Sequence, residues 1–214
     1  MMINEDPDTL SKFDKIEAMS KLLMEMLATK DNRDTIEFAF QKLWHKGFIF
    51  CGVGKNWYIC EKVAKTFMSM GIPAQTLDPV HALHGDIGMI QDQNIVFISK
   101  SGTTVELVAC MEYLKTIRDK GVISSRFINI NLNSKAPSNE LCDQVITNHL
   151  DTPVYEFDEK NIIPSLSIDT IQMILDYIGV EIFEAHKPLL ERYPYNHPGG
   201  SIGKKVGSGD LLNV

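Results

Sequence analysis

The chain has few cysteines, no long apolar run and no excess of positive charge, and each shortage narrows what it is. Its four cysteines, Cys51, Cys60, Cys110 and Cys142, are dispersed over 214 residues and form no Cys-x-x-Cys pair. A disulfide framework is therefore not expected; the cysteines read as small core residues of a protein kept in a reducing, cytoplasmic compartment. No apolar stretch approaches the roughly 20 residues of a membrane-spanning helix, so no membrane partner is expected. The opening Met-Met-Ile-Asn-Glu-Asp-Pro-Asp has neither a basic nor an apolar segment, so it does not read as a secretory signal. Lys and Arg total 21 against 28 Asp and Glu, a net charge of -7. That excludes nonspecific nucleic-acid binding, which needs clustered basic residues. An anionic metabolite stays open, because the local field of a site outweighs the total charge.

What is present is an ordinary globular mixture, 44% hydrophobic and 23% charged, long enough for one domain with a sizeable core. Residues 10–28 and 33–45 carry apolar residues at helical spacing and predict two helices ahead of the first strand. They would cover the sheet or an oligomer interface. Strands are then expected at 48–51, 75–77, 95–98, 127–131 and 144–147, alternating with helices at 57–70, from 105 and over 165–184. That alternation predicts an α/β fold, a doubly wound and mostly parallel five-stranded sheet flanked by helices. The single domain divides into N-terminal helices at 1–45, an α/β core at 46–190 and a C-terminal arm at 191–214, with a loop expected from Pro194.

Residues 94–106, Asn-Ile-Val-Phe-Ile-Ser-Lys-Ser-Gly-Thr-Thr-Val-Glu, are the most informative stretch. A buried strand ends in Ser99, Ser101, Gly102, Thr103 and Thr104, and a helix begins at Val105. A strand end followed by a helix start is where an α/β sheet binds anions, because free N–H groups and the helix dipole favour negative charge. A simple helix cap needs one hydroxyl, and four are present. The loop is read as a phosphate site.

Other motifs are weaker alone. Gly52-Val53-Gly54-Lys55 follows the first strand but completes neither a dinucleotide fingerprint nor a P-loop. Lys55 is then a phosphate or substrate contact, or a solvated lysine on a tight turn. His81 and His84, with Asp86, have a spacing that a metal could use, yet no clear third ligand follows. A substrate-contacting or loop-ordering His84 is preferred, and no metal or other cofactor is expected. Glu156 lies between Tyr155 and Phe157 on the expected active face. Desolvation there would raise its pKa and suit it to general-base work; a solvated acidic loop is the alternative. His197 precedes Pro-Gly-Gly, which suits an arm reaching another subunit or, equally, an incidental terminal turn.

Together, Gly-Val-Gly-Lys at 52–55, His-Gly-Asp-Ile-Gly-Met at 84–89, Ser-Lys-Ser-Gly-Thr-Thr-Val-Glu at 99–106 and His-Pro-Gly-Gly-Ser-Ile-Gly-Lys at 197–204 resemble the SIS (sugar isomerase) domain family, and within it the arabinose-5-phosphate isomerases. The chain is similar to a short form lacking the cystathionine-β-synthase-type domains that this branch often carries. The resemblance implies a flavodoxin-like SIS fold, a homotetramer, and interconversion of D-ribulose 5-phosphate and D-arabinose 5-phosphate through a cis-enediol(ate), supplying Kdo for lipopolysaccharide or capsule. It implies catalytic roles for Lys55, Glu106, Glu156 and His197, and substrate or phosphate binding by Gly54, His84, Ser99, Ser101, Thr103 and Thr104. Two segments depart from the family. Ser165-Leu166-Ser167-Ile168-Asp169-Thr170 stands where a denser Ser/Thr run is usual, and 157–163 lacks a Cys-Pro-Leu-Gly-Leu pattern. A non-catalytic sugar-phosphate sensor, or an SIS enzyme for another phosphosugar, is the alternative.

Overall fold

Five short runs form the strands β1 (Phe48–Gly52), β2 (Ala74–Leu77), β3 (Asn94–Ile98), β4 (Phe127–Ile130) and β5 (Gln144–Ile146); β1, β3 and β4 are buried at every position, and β2 and β5 only in part. A computed structural model of the protein describes residues 10–206. In it the strands make one sheet in the order β2-β1-β3-β4-β5 with every pairing parallel, so the sheet is wholly rather than mostly parallel. Parallel strands need crossovers, and these are the helices α3 (Lys55–Ser69), α4 (Pro79–Ala82) and α5 (Val105–Asp119).

The two-residue period assigns each strand side chain to one of two cores. Phe48, Phe50, Val96, Ile98, Ile128 and Ile130 face one side, under α1 (Lys12–Ala28), α3 and α6 (Leu166–Ala185). Ile49, Cys51, Ile95, Phe97 and Phe127 face the other, under α5. Burial pushes the Cys51, Cys60 and Cys142 thiols up, and all four cysteines are free, which matches their reading as core residues.

The N-terminal helices resolve the choice left by their apolar spacing. Met19, Leu22 and Met26 of α1 enter the first core. The expected second helix is α2 (Lys30–Thr35) running into a π turn, Ile36–Gln41. Asn32, fully buried, accepts the Thr147 N–H at 3.0 Å and donates to the Thr147 carbonyl at 2.8 Å. Its side chain thus satisfies the backbone just past β5, closing a sheet edge that would otherwise invite pairing.

The expected loop from Pro194 is corrected. Helix α7 (Lys187–Asn196) runs through Pro194 and is followed by α8 (Gly200–Val206). Pro194 falls in the last turn, so the helix bond it cannot make is confined to the end of α7, and Leu189 and a Phe183–Tyr193 ring contact hold α7 against α6. Residues 207–214 of the arm and the opening segment at 1–9 lie outside the described residues.

Candidate active site

Chain order reverses between β1 and β3: β2 lies on one side of that pair, and β4 and β5 on the other. The crevice at such a reversal, past the carboxyl ends of the strands, is where open α/β sheets bind ligands. Gly52 is paired with Ile98, so the loops that follow β1 and β3 leave the sheet side by side, about 4.8 Å apart. Helix α3 then falls on one face and α5 on the other.

The loop at 99–104 is a preformed turn. Ser99 is buried, and its Oγ accepts the Gly102 N–H at 3.0 Å and lies 3.3 Å from Thr104 Oγ1. Ser101 Oγ accepts the Thr103 N–H at 3.2 Å and lies 2.8 Å from Thr103 Oγ1. Gly102 has φ +67°, and a Cβ there would stand 2.4 Å from Ala136 Cβ, so glycine is required twice over. Thr104 occupies the N-cap of α5, yet its hydroxyl caps no N–H. It turns to Ser99 instead, leaving the dipole end of α5 facing a ring of hydroxyls. The segment after β4 braces this turn: the Leu132 N–H donates to the Lys100 carbonyl at 3.0 Å, and Asn133 Nδ2 to the Ser101 carbonyl at 3.2 Å.

Lys55 begins α3 and is exposed, directly after Gly54, whose φ of +63° with ψ of -123° suits glycine. Glu106 is exposed in the first turn of α5. His84 is exposed after α4, downstream of the carboxyl end of β2. Among the described residues, no group of three or more His, Cys, Asp or Glu is placed to hold a metal ion.

Glu156 is fully buried, and its carboxylate accepts five hydrogen bonds. Lys100 Nζ donates at 2.5 Å, the Ser165 N–H at 2.8 Å, the Ser167 N–H at 3.2 Å and Ser165 Oγ at 3.2 Å, with Ser167 Oγ as the fifth. Burial pushes its pKa up, as expected from the flanking aromatics, but the Lys100 ammonium, the Ser167 hydroxyl and the N–H groups opening α6 outweigh it. The net direction is down, which reverses the expected rise. Asn161, at φ +58°, clips the segment by accepting the Glu156 N–H and donating to the Val154 carbonyl at 2.6 Å. Buried Lys15 of α1 ties the same segment down through the Asp158 carbonyl at 2.8 Å.

The fold thus brings together the loop at 99–104, Lys55 and Glu106, and joins Glu156 to them through Lys100. His197 stands elsewhere. Its neighbour Asn196 donates to the Ser69 carbonyl at 3.2 Å, at the far end of α3 from Lys55. A helix of 15 residues spans about 22 Å, so within one protomer His197 sits at the opposite edge of the sheet. From sequence, Lys100, like Lys55, Lys204 and Lys205, lies in or beside a glycine- and serine-rich loop and could supply a positive field for an anion, but its pairing with Glu156 is not legible there, nor are the contacts of Ser165, Ser167 and Asn161. Lys100 had one local signal, its place between two site serines. Its partner is 56 positions away, and no local pattern carries that.

No protein-family model matches the chain. An uncharacterised protein of Chlamydia pneumoniae is 34% identical over 179 residues, spanning 81% of this chain and 51% of that protein. The arabinose 5-phosphate isomerase KdsD of Pseudomonas aeruginosa is 25% identical over 209 residues, spanning 96% of this chain and 61% of the relative. The chain therefore spans only about half to three fifths of these curated relatives, 51% and 61%. Among solved structures, a Bacteroides fragilis protein, described provisionally as a phosphosugar isomerase involved in capsule formation, superposes with a TM-score of 0.74 at 23% identity, covering 86% of this chain and 94% of that one. An Escherichia coli CFT073 protein in complex with arabinose 5-phosphate gives 0.69 at 23%, covering 85% and 94%. The Vibrio vulnificus NanR protein complexed with ManNAc-6P gives 0.66 at 14%, covering 85% and 66%. In fold the chain is similar to these solved proteins, and in sequence it resembles arabinose 5-phosphate isomerases, the branch of the SIS (sugar isomerase) domain family that its motifs resemble.

Proposed function

We propose that this chain is a phosphosugar isomerase that interconverts D-ribulose 5-phosphate and D-arabinose 5-phosphate in the cytoplasm, with the product destined for Kdo. The observation that carries the reading is the hydroxyl-lined turn at 99–104, open at the N-terminus of α5 and set beside Lys55 by the Gly52–Ile98 pairing. Ser99, Ser101, Thr103 and Thr104 hold the phosphate with Gly54 alongside, and the phosphate fixes the distance to the reacting carbons. The reaction moves one hydrogen between C1 and C2 within the substrate, so it consumes no redox cofactor. A base takes the proton from one carbon and returns it to the other, while the proton on the neighbouring oxygen moves between O1 and O2. Lys55 bears the enediolate charge, and His84 and Glu106 complete the site.

Glu156 is the carbon base in this scheme, with one added requirement. Its carboxylate must give up the Lys100 ammonium before it can take a proton. Lys100 lies within the phosphate loop, so an arriving phosphate dianion competes for that ammonium and frees Glu156 to act. His197 is supplied by a neighbouring subunit of a homo-oligomer, taken as a tetramer, where it opens a cyclic substrate or shuttles protons between oxygens. The distance of His197 from Lys55 within one protomer supports this, as do Met173, Tyr177 and Val180, which leave an exposed apolar stripe on α6.

The test is incubation with ribulose 5-phosphate, followed by NMR. Appearance of arabinose 5-phosphate, lost in Lys55→Ala, is the expected result. The second reading is a sugar-phosphate sensor, favoured by the full set of hydrogen bonds that holds Glu156. Tight binding of the sugar phosphate without turnover would establish that reading instead.

A further inference from the structure

At the amino-terminal edge of the sheet, opposite the loop at 99–104, the segments entering β3 and β4 and the end of α5 enclose a cleft of about 280 Å3. Its wall carries Lys46, Arg118 and Arg126 against one carboxylate, Asp143, in a chain whose net charge is -7. The two guanidiniums are held in place. Arg118 lies 4.1 Å over the Phe127 ring and donates to Asp143 Oδ2 at 2.6 Å, and Arg126 lies 4.9 Å over the Phe38 ring. Asp143 also accepts the Phe127 N–H at 2.7 Å, and Lys46 lies 3.9 Å from Asp92, so three cations stand against two carboxylates and the wall stays net positive.

Two buried side chains in this wall are incompletely satisfied. Asn94 is 0% exposed, and its amide nitrogen donates to the Leu43 carbonyl at 3.1 Å and the Gly47 carbonyl at 3.3 Å. Those bonds fix which end of the amide is oxygen, and Asn94 Oδ1 then finds no partner among the described residues. Ser125 is 2% exposed, and its Oγ likewise has none. A buried acceptor left alone costs about 1–3 kcal/mol, so such atoms point to a donor that the fold does not itself supply.

We propose that this cleft is a second ligand site, separate from the isomerase site, for a small hydroxylated anion such as a short phosphate ester. The anionic oxygens would rest on Arg118 and Arg126, and a ligand hydroxyl would donate to Asn94 Oδ1 with Ser125 beside it. Arginine suits phosphate and carboxylate oxygens because its planar fork offers two parallel N–H donors. The volume lies at the low end for metabolite pockets, which matches a compact ligand rather than a nucleotide.

Glycerol 3-phosphate titrated into isotope-labelled protein, read residue by residue by NMR, tests this. The expected result is one set of shifted amides around 94, 118 and 124–126 and a second at 99–104. Arg126→Gln should raise the ligand needed for the first set by roughly tenfold or more and leave the second unchanged. Ethyl phosphate, which lacks a free hydroxyl, should bind the first set more weakly than glycerol 3-phosphate. Ser125→Ala is the second variant, should Arg126→Gln loosen the fold. Absence of the first set means that Asn94 and Ser125 meet only water, and it overturns the proposal. So does a first set that neither substitution weakens. Loss of the second set alone would count against the isomerase reading and leave this one standing.

Discussion

Glu156 is a buried carboxylate whose charge is met by five hydrogen bonds, one of them from an ammonium. Its pKa is held below the ordinary carboxylate value of about 4.3, so its ionised form is stabilised by folding. That contribution is complete above the ordinary value and is lost as pH falls through the depressed one. Between roughly pH 5 and pH 3 the protein should therefore lose melting temperature more steeply than Glu156→Gln does, and parallel curves would refute the assignment. At neutral pH the same substitution should cost about 1–3 kcal/mol, because Lys100 and two N–H groups lose a charged acceptor; Lys100 is 32% exposed, and solvent softens the loss. Gly102 gives a second prediction. Gly102→Ala combines a positive φ with a 2.4 Å approach to Ala136, and should destabilise the fold by about 2–4 kcal/mol and abolish phosphate binding together. A denaturant midpoint measured beside a phosphate titration checks both.

Among the elements, α3 and α6 pack tightly at Gly179. A Cβ there would lie 2.7 Å from Phe67 Cε2 and 2.8 Å from Met70 Cε. In an isolated helix Gly→Ala gains about 1 kcal/mol. Here Phe67 is fully buried and cannot retreat, so overpacking should prevail, and Gly179→Ala should lower stability by about 1–2 kcal/mol. An increase in melting temperature would mean that the two helices separate freely. The placement also matters for function, since α3 starts at Lys55 and α6 starts under Glu156. A shift between them would move the two groups that the proposed reaction needs together.

At the scale of the molecule, His197 lies at the far edge of the sheet from Lys55, so its proposed role requires a second subunit. A site shared between subunits predicts complementation. Lys55→Ala and His197→Ala should each be inactive alone, and refolding them together should restore roughly a quarter of the activity through mixed oligomers. No recovery, with mixed oligomers demonstrated by mass, would remove His197 from the partner's site. Size measurement in solution is the accompanying control: a strict monomer would remove the shared site altogether.

Much of this was legible in the sequence because local patterns carry it. Apolar runs flanked by glycine and hydroxyl residues mark β1 and β3 with their loops, and helical spacing marks α1, α3, α5 and α6. Period-two burial and helix amphipathicity are written in neighbouring residues, so these elements and the hydroxyl-lined turn after β3 follow from the chain alone. The ionisation state of Glu156 did not. It depends on Lys100, 56 residues earlier, and on Ser165 and Ser167 at the start of a helix, all gathered by the return of the chain from β5 to α6. The separation of His197 from Lys55 was equally hidden, because it is set by which end of α3 the last long helices pack against. Sequence determined the elements and the chemistry each loop carries. Tertiary structure decided which of those loops share an edge of the sheet, because strand order and direction are properties of non-local pairing.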